Sequence, residues 1–212
     1  MIIKWLGHAS FLISSKGINI ITDPINEKSG YPVVPRSADI VTISHQHWDH
    51  NATEGISGMP RVFEGAGRHE LDGVIISGIN SFHDKNQGRD RGTNTIFKIS
   101  AEGINVVHLG DLGHIPGSQQ VEEIGLVDVL LIPVGGVYTV DAEEACEIVE
   151  LLKPRLVIPM HYQTPHLSFT LAPVENFISR YDRVLKLPCL EIEASELIQE
   201  EPGIIVLDYL LG

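Results

Sequence analysis

The stretch Asp39-Ile40-Val41-Thr42-Ile43-Ser44-His45-Gln46-His47-Trp48-Asp49-His50 decides how this chain is read. Residues 40–44 form a short apolar run, the pattern of a strand buried on both faces. Three His and one Asp follow within six residues. Packing gives no reason for that density of imidazole and carboxylate at a strand end. These side chains are borderline ligands that suit zinc, iron or manganese. In an extended segment residues i and i+2 point the same way, so His45 and His47 can reach one ion together. Asp49 and His50, at the turn into a helix, face a second.

Outward from this motif the chain is β-rich. Short runs at 2–6, 10–13, 18–22, 74–79, 95–99, 104–109, 129–133, 156–159, 184–187 and 204–207 read as strands. Helices are fewer. The clearest spans 141–153, with Asp141 as N-cap, Glu144 three residues on, and Pro154 as the stop. Cys146 falls on its apolar face and reads as a core residue. Weaker helices are expected at 52–57, 118–124 and 173–180, and 65–73 reads as a surface loop or short helix.

Two pieces recur. Gly17-Ile18-Asn19-Ile20-Ile21 resembles Gly103-Ile104-Asn105-Val106-Val107, each soon followed by an Asp, Asp23 and Asp111. Asp39-Ile40-Val41-Thr42-Ile43 resembles Asp128-Val129-Leu130-Leu131-Ile132. The expectation is an α/β protein of two similar β-rich halves packed face to face with helices outside.

Composition limits the function classes. The 212 residues carry 15 Lys and Arg against 28 Asp and Glu, a net charge of −13, so a nucleic-acid partner is disfavoured. With 43% hydrophobic and 20% charged residues the chain suits one globular domain over 1–212. Two Cys cannot staple such a chain, no targeting signal opens it, and no stretch suits a bilayer, so a cytoplasmic protein without membrane partners is expected.

His-x-His-x-Asp-His after a buried strand resembles the signature of the metallo-β-lactamase superfamily. The ordered pieces Trp5-Leu6-Gly7-His8-Ala9-Ser10-Phe11, Thr22-Asp23-Pro24, Ser81-Phe82-His83-Asp84, His108-Leu109-Gly110-Asp111, Pro133-Val134-Gly135-Gly136 and Ile158-Pro159-Met160-His161-Tyr162 resemble its branch containing ascorbate-6-phosphate lactonase and uncharacterised metal-dependent hydrolases. The resemblance implies an αββα four-layer sandwich with two divalent ions at the sheet edge, zinc foremost, manganese or iron as alternatives. By position His45, His47 and His83 would hold one ion, Asp49, His50 and His161 the other, with Asp111 bridging. His83 is preferred over His69 because of the loop or helix expected at 65–73. Asp23 would orient a ligand His by hydrogen bond. Family members with a redox di-iron centre usually carry Glu at the second His of the motif; His47 here favours hydrolysis.

The implied activity is hydrolysis of a small anionic ester, lactone or phosphodiester by water that the two metals acidify. Asp49 would orient that water. His8, then Tyr138, are candidate proton donors to the leaving group. Lys85, Arg89 and Arg91, clustered after His83, would hold substrate negative charge. His108 reads as core or as support for a ligand; His114 and His166 have no assigned role. A nuclease or cyclic-nucleotide phosphodiesterase, and a metal-dependent binding or sensor module, are the alternatives. The oligomeric state is open.

Overall fold

The computed structural model describes residues 1–33, 36–197 and 202–209. In the first half the strands are β1 (Ile2–Gly7), β2 (Ser10–Ser15), β3 (Ile18–Thr22), β4 (Arg36–Ser37), β5 (Ile40–Ile43), β6 (Ile56–Ser57) and β7 (Arg61–Glu64). In the second half they are β8 (Gly67–Leu71), β9 (Val74–Phe82), β10 (Thr93–Ala101), β11 (Ile104–His108), β12 (Val129–Pro133), β13 (Leu156–Met160), β14 (Val184–Leu187), β15 (Leu190–Glu191) and β16 (Gly203–Leu207). One sheet has the order β15-β1-β2-β3-β5-β7 and the other β14-β16-β13-β12-β11-β10-β9-β8, with β4 and β6 paired separately.

The two halves repeat each other. β1-β2-β3 is an antiparallel meander continued by parallel β5 and β7. β9-β10-β11 is likewise antiparallel and continued by parallel β12 and β13. The meander turns match as well. Lys16-Gly17 and Glu102-Gly103 both take positive φ, 52° and 81° against 54° and 76°, the twist that two-residue hairpins favour. Alternation sends Ile3, Trp5, Phe11, Ile13 and Ile20 of the first sheet inward, into one core with Ile76, Ile96, Ile99 and Val106 of the second.

Three α-helices are present among the described residues: α1 (Ser118–Ile124), α2 (Ala142–Leu152) and α3 (Glu175–Ile178). α2 starts as its sequence dictates. Asp141 accepts from the Glu143 and Glu144 N–H groups while Glu144 returns a carboxylate to the Asp141 N–H. Ala142, Ala145, Ile148, Val149 and Leu152 form its buried face, with Cys146 half-buried beside them. No helix among the described residues is long and apolar enough to cross a membrane.

Two expectations fail locally. The helix expected at 52–57 is a 3₁₀ turn, Thr53–Gly55, running into β6. Gly55 and the β-branched Thr53 and Ile56 leave too few helix formers for a nucleus. The outer face of the first sheet is therefore covered by turns and the β4–β6 pair, with Ala38 and Ile56 packed on Ile21, Val41 and Ile43. The loop or helix expected at 65–73 contains β8, joined to β9 by an Asp72-Gly73 turn with φ 49° and 80°. That Asp-Gly pair was the available signal for a hairpin. The helix expected at 173–180 shortens to α3.

Candidate metal centre

The chemistry-bearing residues gather where strands of both sheets end. His8 lies between β1 and β2, Asp23 follows β3, and His45, His47, Asp49 and His50 follow β5. His83 follows β9, Asp111 follows β11 and His161 follows β13. His8, Asp23 and His161 take left-handed backbone, φ 53°, 39° and 52°. Strain of this kind persists only where surroundings fix it. Here the His161 N–H donates to the His8 carbonyl, which also accepts from the Trp5 indole, tying the two halves together at the site.

Asp111 is the hub. Its Oδ2 lies 3.1 Å from His83 Nε2, 3.3 Å from His50 Nε2, 3.3 Å from His161 Nε2 and 3.8 Å from His45 Nε2. Asn94 accepts from the Asp111 N–H and donates to the Leu109 carbonyl, fixing the turn that presents the carboxylate. Donor atoms of His45, His47 and His83 lie within 4.8 Å of one another, as do those of His8, His50 and His161. Asp49 stands at the mouth, its Oδ2 3.3 Å from His8 Nε2 and 3.8 Å from His50 Nε2.

Behind the cluster, the buried Asp23 carboxylate accepts from the Ser44 N–H at 2.7 Å, the Ser44 hydroxyl at 2.5 Å and His50 Nδ1 at 2.9 Å. Ser44 Oγ also lies 2.9 Å from His45 Nδ1. Asp23 thus orients His50 directly and His45 through Ser44, the support a metal-ligating imidazole requires.

The electrostatics follow from burial and these neighbours. Burial, reinforced by His161, lowers His8 to about 4, and burial with His50 lowers His45 to about 3. His47 is lowered by burial and by His83. Burial opposes charge on His50 as well, yet the carboxylates of Asp111 and Asp23 hold it well above the usual imidazole value. Against burial, His161 and His50 hold Asp111 well below the carboxylate range, and the His8 hydrogen bond and His50 do the same for Asp49.

The residues fit a divalent cation. His50 Nε2, His83 Nδ1, His161 Nδ1, His8 Nδ1 and Asp111 Oδ1 are buried without a hydrogen-bond partner, and His8 Nε2 has only its 3.3 Å approach to Asp49. So many unpaired polar atoms buried around one carboxylate are costly, and a cation held by the imidazole nitrogens that face Asp111 would offset that cost.

Beside His45 and His47 opens a groove of about 480 Å³, also lined by Glu64, Arg91, Thr93 and Thr95. Arg91 lies over the Tyr138 ring, 3.5 Å from its centroid. The segment 84–91 closes on one side chain. Asp84 accepts from the backbone N–H groups of Asn86, Gly88, Asp90 and Arg91. Of the three expected substrate cations, Arg91 lines the groove. Lys85, expected at the substrate, instead pairs its ammonium with Glu144 of α2 at 2.5 Å. Arg89 is exposed and does not line the groove. His8 also departs from expectation. It is fully buried behind Asp49 and held neutral near pH 7, so it faces Asp49 rather than the groove. His69 stacks on Phe63, with exposed neighbours and outside the cluster. His108 donates to the Ala9 carbonyl, and His114 accepts from the Phe82 N–H just before His83. Ser44 and Asn94 went unnoticed in the sequence. A buried-strand Asn, depleted from β structure, was the one clue to Asn94.

A two-sheet sandwich with a His and Asp cluster at its edge defines a class of metal-dependent hydrolases. The family model described as the Beta-lactamase superfamily domain matches residues 2–161, and the chain belongs to that superfamily, with the metallo-β-lactamase fold. A metal-dependent hydrolase of Pyrococcus abyssi is 32% identical over 191 residues, covering 76% of this chain and 84% of its own. One from Methanopyrus kandleri is 29% identical, covering 96% and 98%. A crystal structure from Thermotoga maritima, provisionally described as a Zn-dependent hydrolase of the metallo-beta-lactamase superfamily, superposes with a TM-score of 0.82. It is 40% identical and 97% of each chain is covered. The chain is in class a metal-dependent hydrolase.

Proposed function

We propose that this chain cleaves a small anionic ester, lactone or phosphodiester with two divalent ions, zinc foremost and manganese or iron as alternatives. The observation that carries the reading is the Asp111 Oδ2 ringed by imidazole Nε2 atoms from both halves. His45, His47 and His83 would hold one ion and Asp49, His50 and His161 the other, with the Asp111 carboxylate within reach of both sets. When bound, such a pair would supply an acidified water and polarise the bond under attack. Asp49, its carboxylate at the mouth of the site, accepts a hydrogen bond from the attacking water and orients it. His8 donates to Asp49 and keeps that carboxylate aimed. Arg91, preset by Tyr138 and by Asp84, grips the substrate's negative charge. The leaving group's proton comes through Asp49 and His8 or from Tyr138 at the rim. We place the protein in the cytoplasm, in keeping with the free thiols of Cys146 and Cys189.

The test pairs metal analysis with a screen of lactones and diesters under Zn²⁺ and Mn²⁺. The expected result is two ions per chain and turnover that a chelator removes and metal restores. Asp49→Ala should abolish turnover while one ion stays. Near-normal turnover with a single ion would refute the two-metal reading, and silence on every substrate would leave a sensor module.

A further inference from the structure

The two flanks of the cluster differ in chemistry. On the His45 and His47 side lies the polar groove with Arg91, Thr93 and Thr95. On the His8 and Asp49 side stands an aromatic wall. The His8 and Phe169 rings meet edge to face, centroids 5.4 Å apart, and Phe169 meets Trp48 at 6.3 Å and 77°. The chain has two Trp. Trp5 is buried in the core, whereas Trp48, between His47 and Asp49, is 44% exposed.

The backbone that carries both rings is pinned. The Asn26 side-chain amide donates to the Trp48 carbonyl at 2.6 Å. Next to Phe169, Ser168 is stapled to the 3₁₀ turn Glu27–Ser29: its N–H donates to the Ser29 carbonyl and its hydroxyl to the Lys28 carbonyl. Phe169 packs from behind on Ile25, Tyr31, Leu167 and Leu171. A half-exposed aromatic wall touching a polar catalytic cluster is the mark of a ligand's apolar part. A hydrolase for a wholly polar anion gains nothing from leaving an indole in water beside its ligands.

We propose that the substrate is amphipathic, with its anionic group at Arg91, the scissile bond over the His and Asp cluster, and an acyl or alkyl body along Trp48 and Phe169. This rests on the hydrolase reading above and names its substrate class.

The purified, metal-loaded protein is titrated with n-alkyl phosphonates of four, six and eight carbons below their micellar concentrations, with inorganic phosphate as the headgroup-only probe. Binding is followed by calorimetry and by Trp48 fluorescence. A fully buried methylene tightens binding about fourfold, so partial burial over four added methylenes predicts about a tenfold gain. Phe169→Ala and Trp48→Ala should flatten that gain to under twofold and leave phosphate affinity and metal content unchanged. Phe169→Leu, which keeps an apolar surface, should retain most of it. Arg91→Gln should weaken every length by one common factor. Affinity independent of length, or a length dependence that survives Phe169→Ala and Trp48→Ala together, overturns the inference. A wild-type chain without length dependence that still turns over a lactone or diester sinks this inference alone. A chain that holds no metal sinks the hydrolase reading, while Trp48 fluorescence still reads the alkyl series on the wall.

Discussion

Asp23 offers the sharpest perturbation, because replacing its carboxylate by an amide separates folding from metal binding. In the native chain it accepts three hydrogen bonds, from the Ser44 N–H, the Ser44 hydroxyl and His50 Nδ1. That arrangement keeps the proton on His50 Nδ1 and turns Nε2 toward Asp111. In Asp23→Asn the amide oxygen can still accept from the Ser44 N–H. The amide nitrogen, however, must donate where the second carboxylate oxygen accepted. Ser44 Oγ can receive that donation, and so can His50 Nδ1, but only if the His50 proton moves to Nε2. A protonated Nε2 cannot bind a metal. The metal-free variant therefore loses little stability, while affinity at the His50 ion falls by roughly 10–100-fold, the usual cost of removing such support. Asp23→Ala behaves differently. It orphans three buried donors at about 1 kcal/mol each, which for a domain of this size lowers Tm by roughly 6–12 °C. The assays are thermal scans of chelated protein and chelator-competition titrations that resolve two ions. If Asp23→Asn binds the second ion as tightly as the native chain, Asp23 does not set the His50 tautomer and the reasoning fails.

Two further expectations concern stability. Burial lowers folded-state His8 to about 4 and His45 to about 3, below the 6.5 of the unfolded chain. The unfolded chain therefore binds their protons first: stability is intact above pH 6.5 and falls toward pH 4 by about 1.4 kcal/mol per pH unit for each imidazole. His50, raised instead, has the opposite sign, its contribution complete below pH 6.5 and lost as pH rises through its elevated value. Thermal scans of chelated protein should show the acid loss, and a flat Tm between pH 7 and 5 would contradict it. Asp128, buried and accepting from both the Asn105 N–H and its side-chain amide, should cost about 2–3 kcal/mol on replacement by Ala. Its exposed counterpart Asp39, accepting from the Asn19 N–H, should cost about 1 kcal/mol or less by the same reckoning. Equal losses in urea titrations would mean burial does not separate the pair.

The sequence carried the site wherever one local rule decided a residue's place. His45, His47, Asp49 and His50 follow a strand whose period fixes their directions, and the four cluster around Asp111 with His83 and His161. The preference for His83 over His69 rests on a premise that fails, because 65–73 carries β8 and not a loop or helix; His69 lies outside the cluster because it sits on that edge strand against Phe63. What stayed hidden depends on long-range contacts. Phe169 reaches His8 across the molecule because Ser168 bonds to Lys28 and Ser29, a pairing no local pattern signals. Lys85 was a free cation in the sequence and becomes a partner of Glu144 only once α2 packs nearby. The helix expected at 52–57 failed for a more ordinary reason, because six residues with a Gly and two β-branched side chains cannot pay for a helical nucleus.

The internal repeat explains why the cluster sits where it does. At an offset of 86 residues the Ser14 hydroxyl donates to the Asn19 side chain as Ser100 does to Asn105. The Asn19 N–H donates to Asp39 as the Asn105 N–H does to Asp128. Four residues further along each strand the Asp23 N–H reaches the Thr42 carbonyl as the Leu109 N–H reaches the Leu131 carbonyl. Asp23 therefore corresponds to Leu109, not to Asp111, although the sequence paired the two acids. The halves agree at the hairpin ends of their strands, where a turn and a register must be kept. They diverge at the opposite ends, where the first half supplies the His-rich run with Asp23 behind it and the second supplies His83, Asp111 and His161 singly. A centre that takes ligands from both halves forms only when the two sheets pack, so the core that joins them also assembles the site.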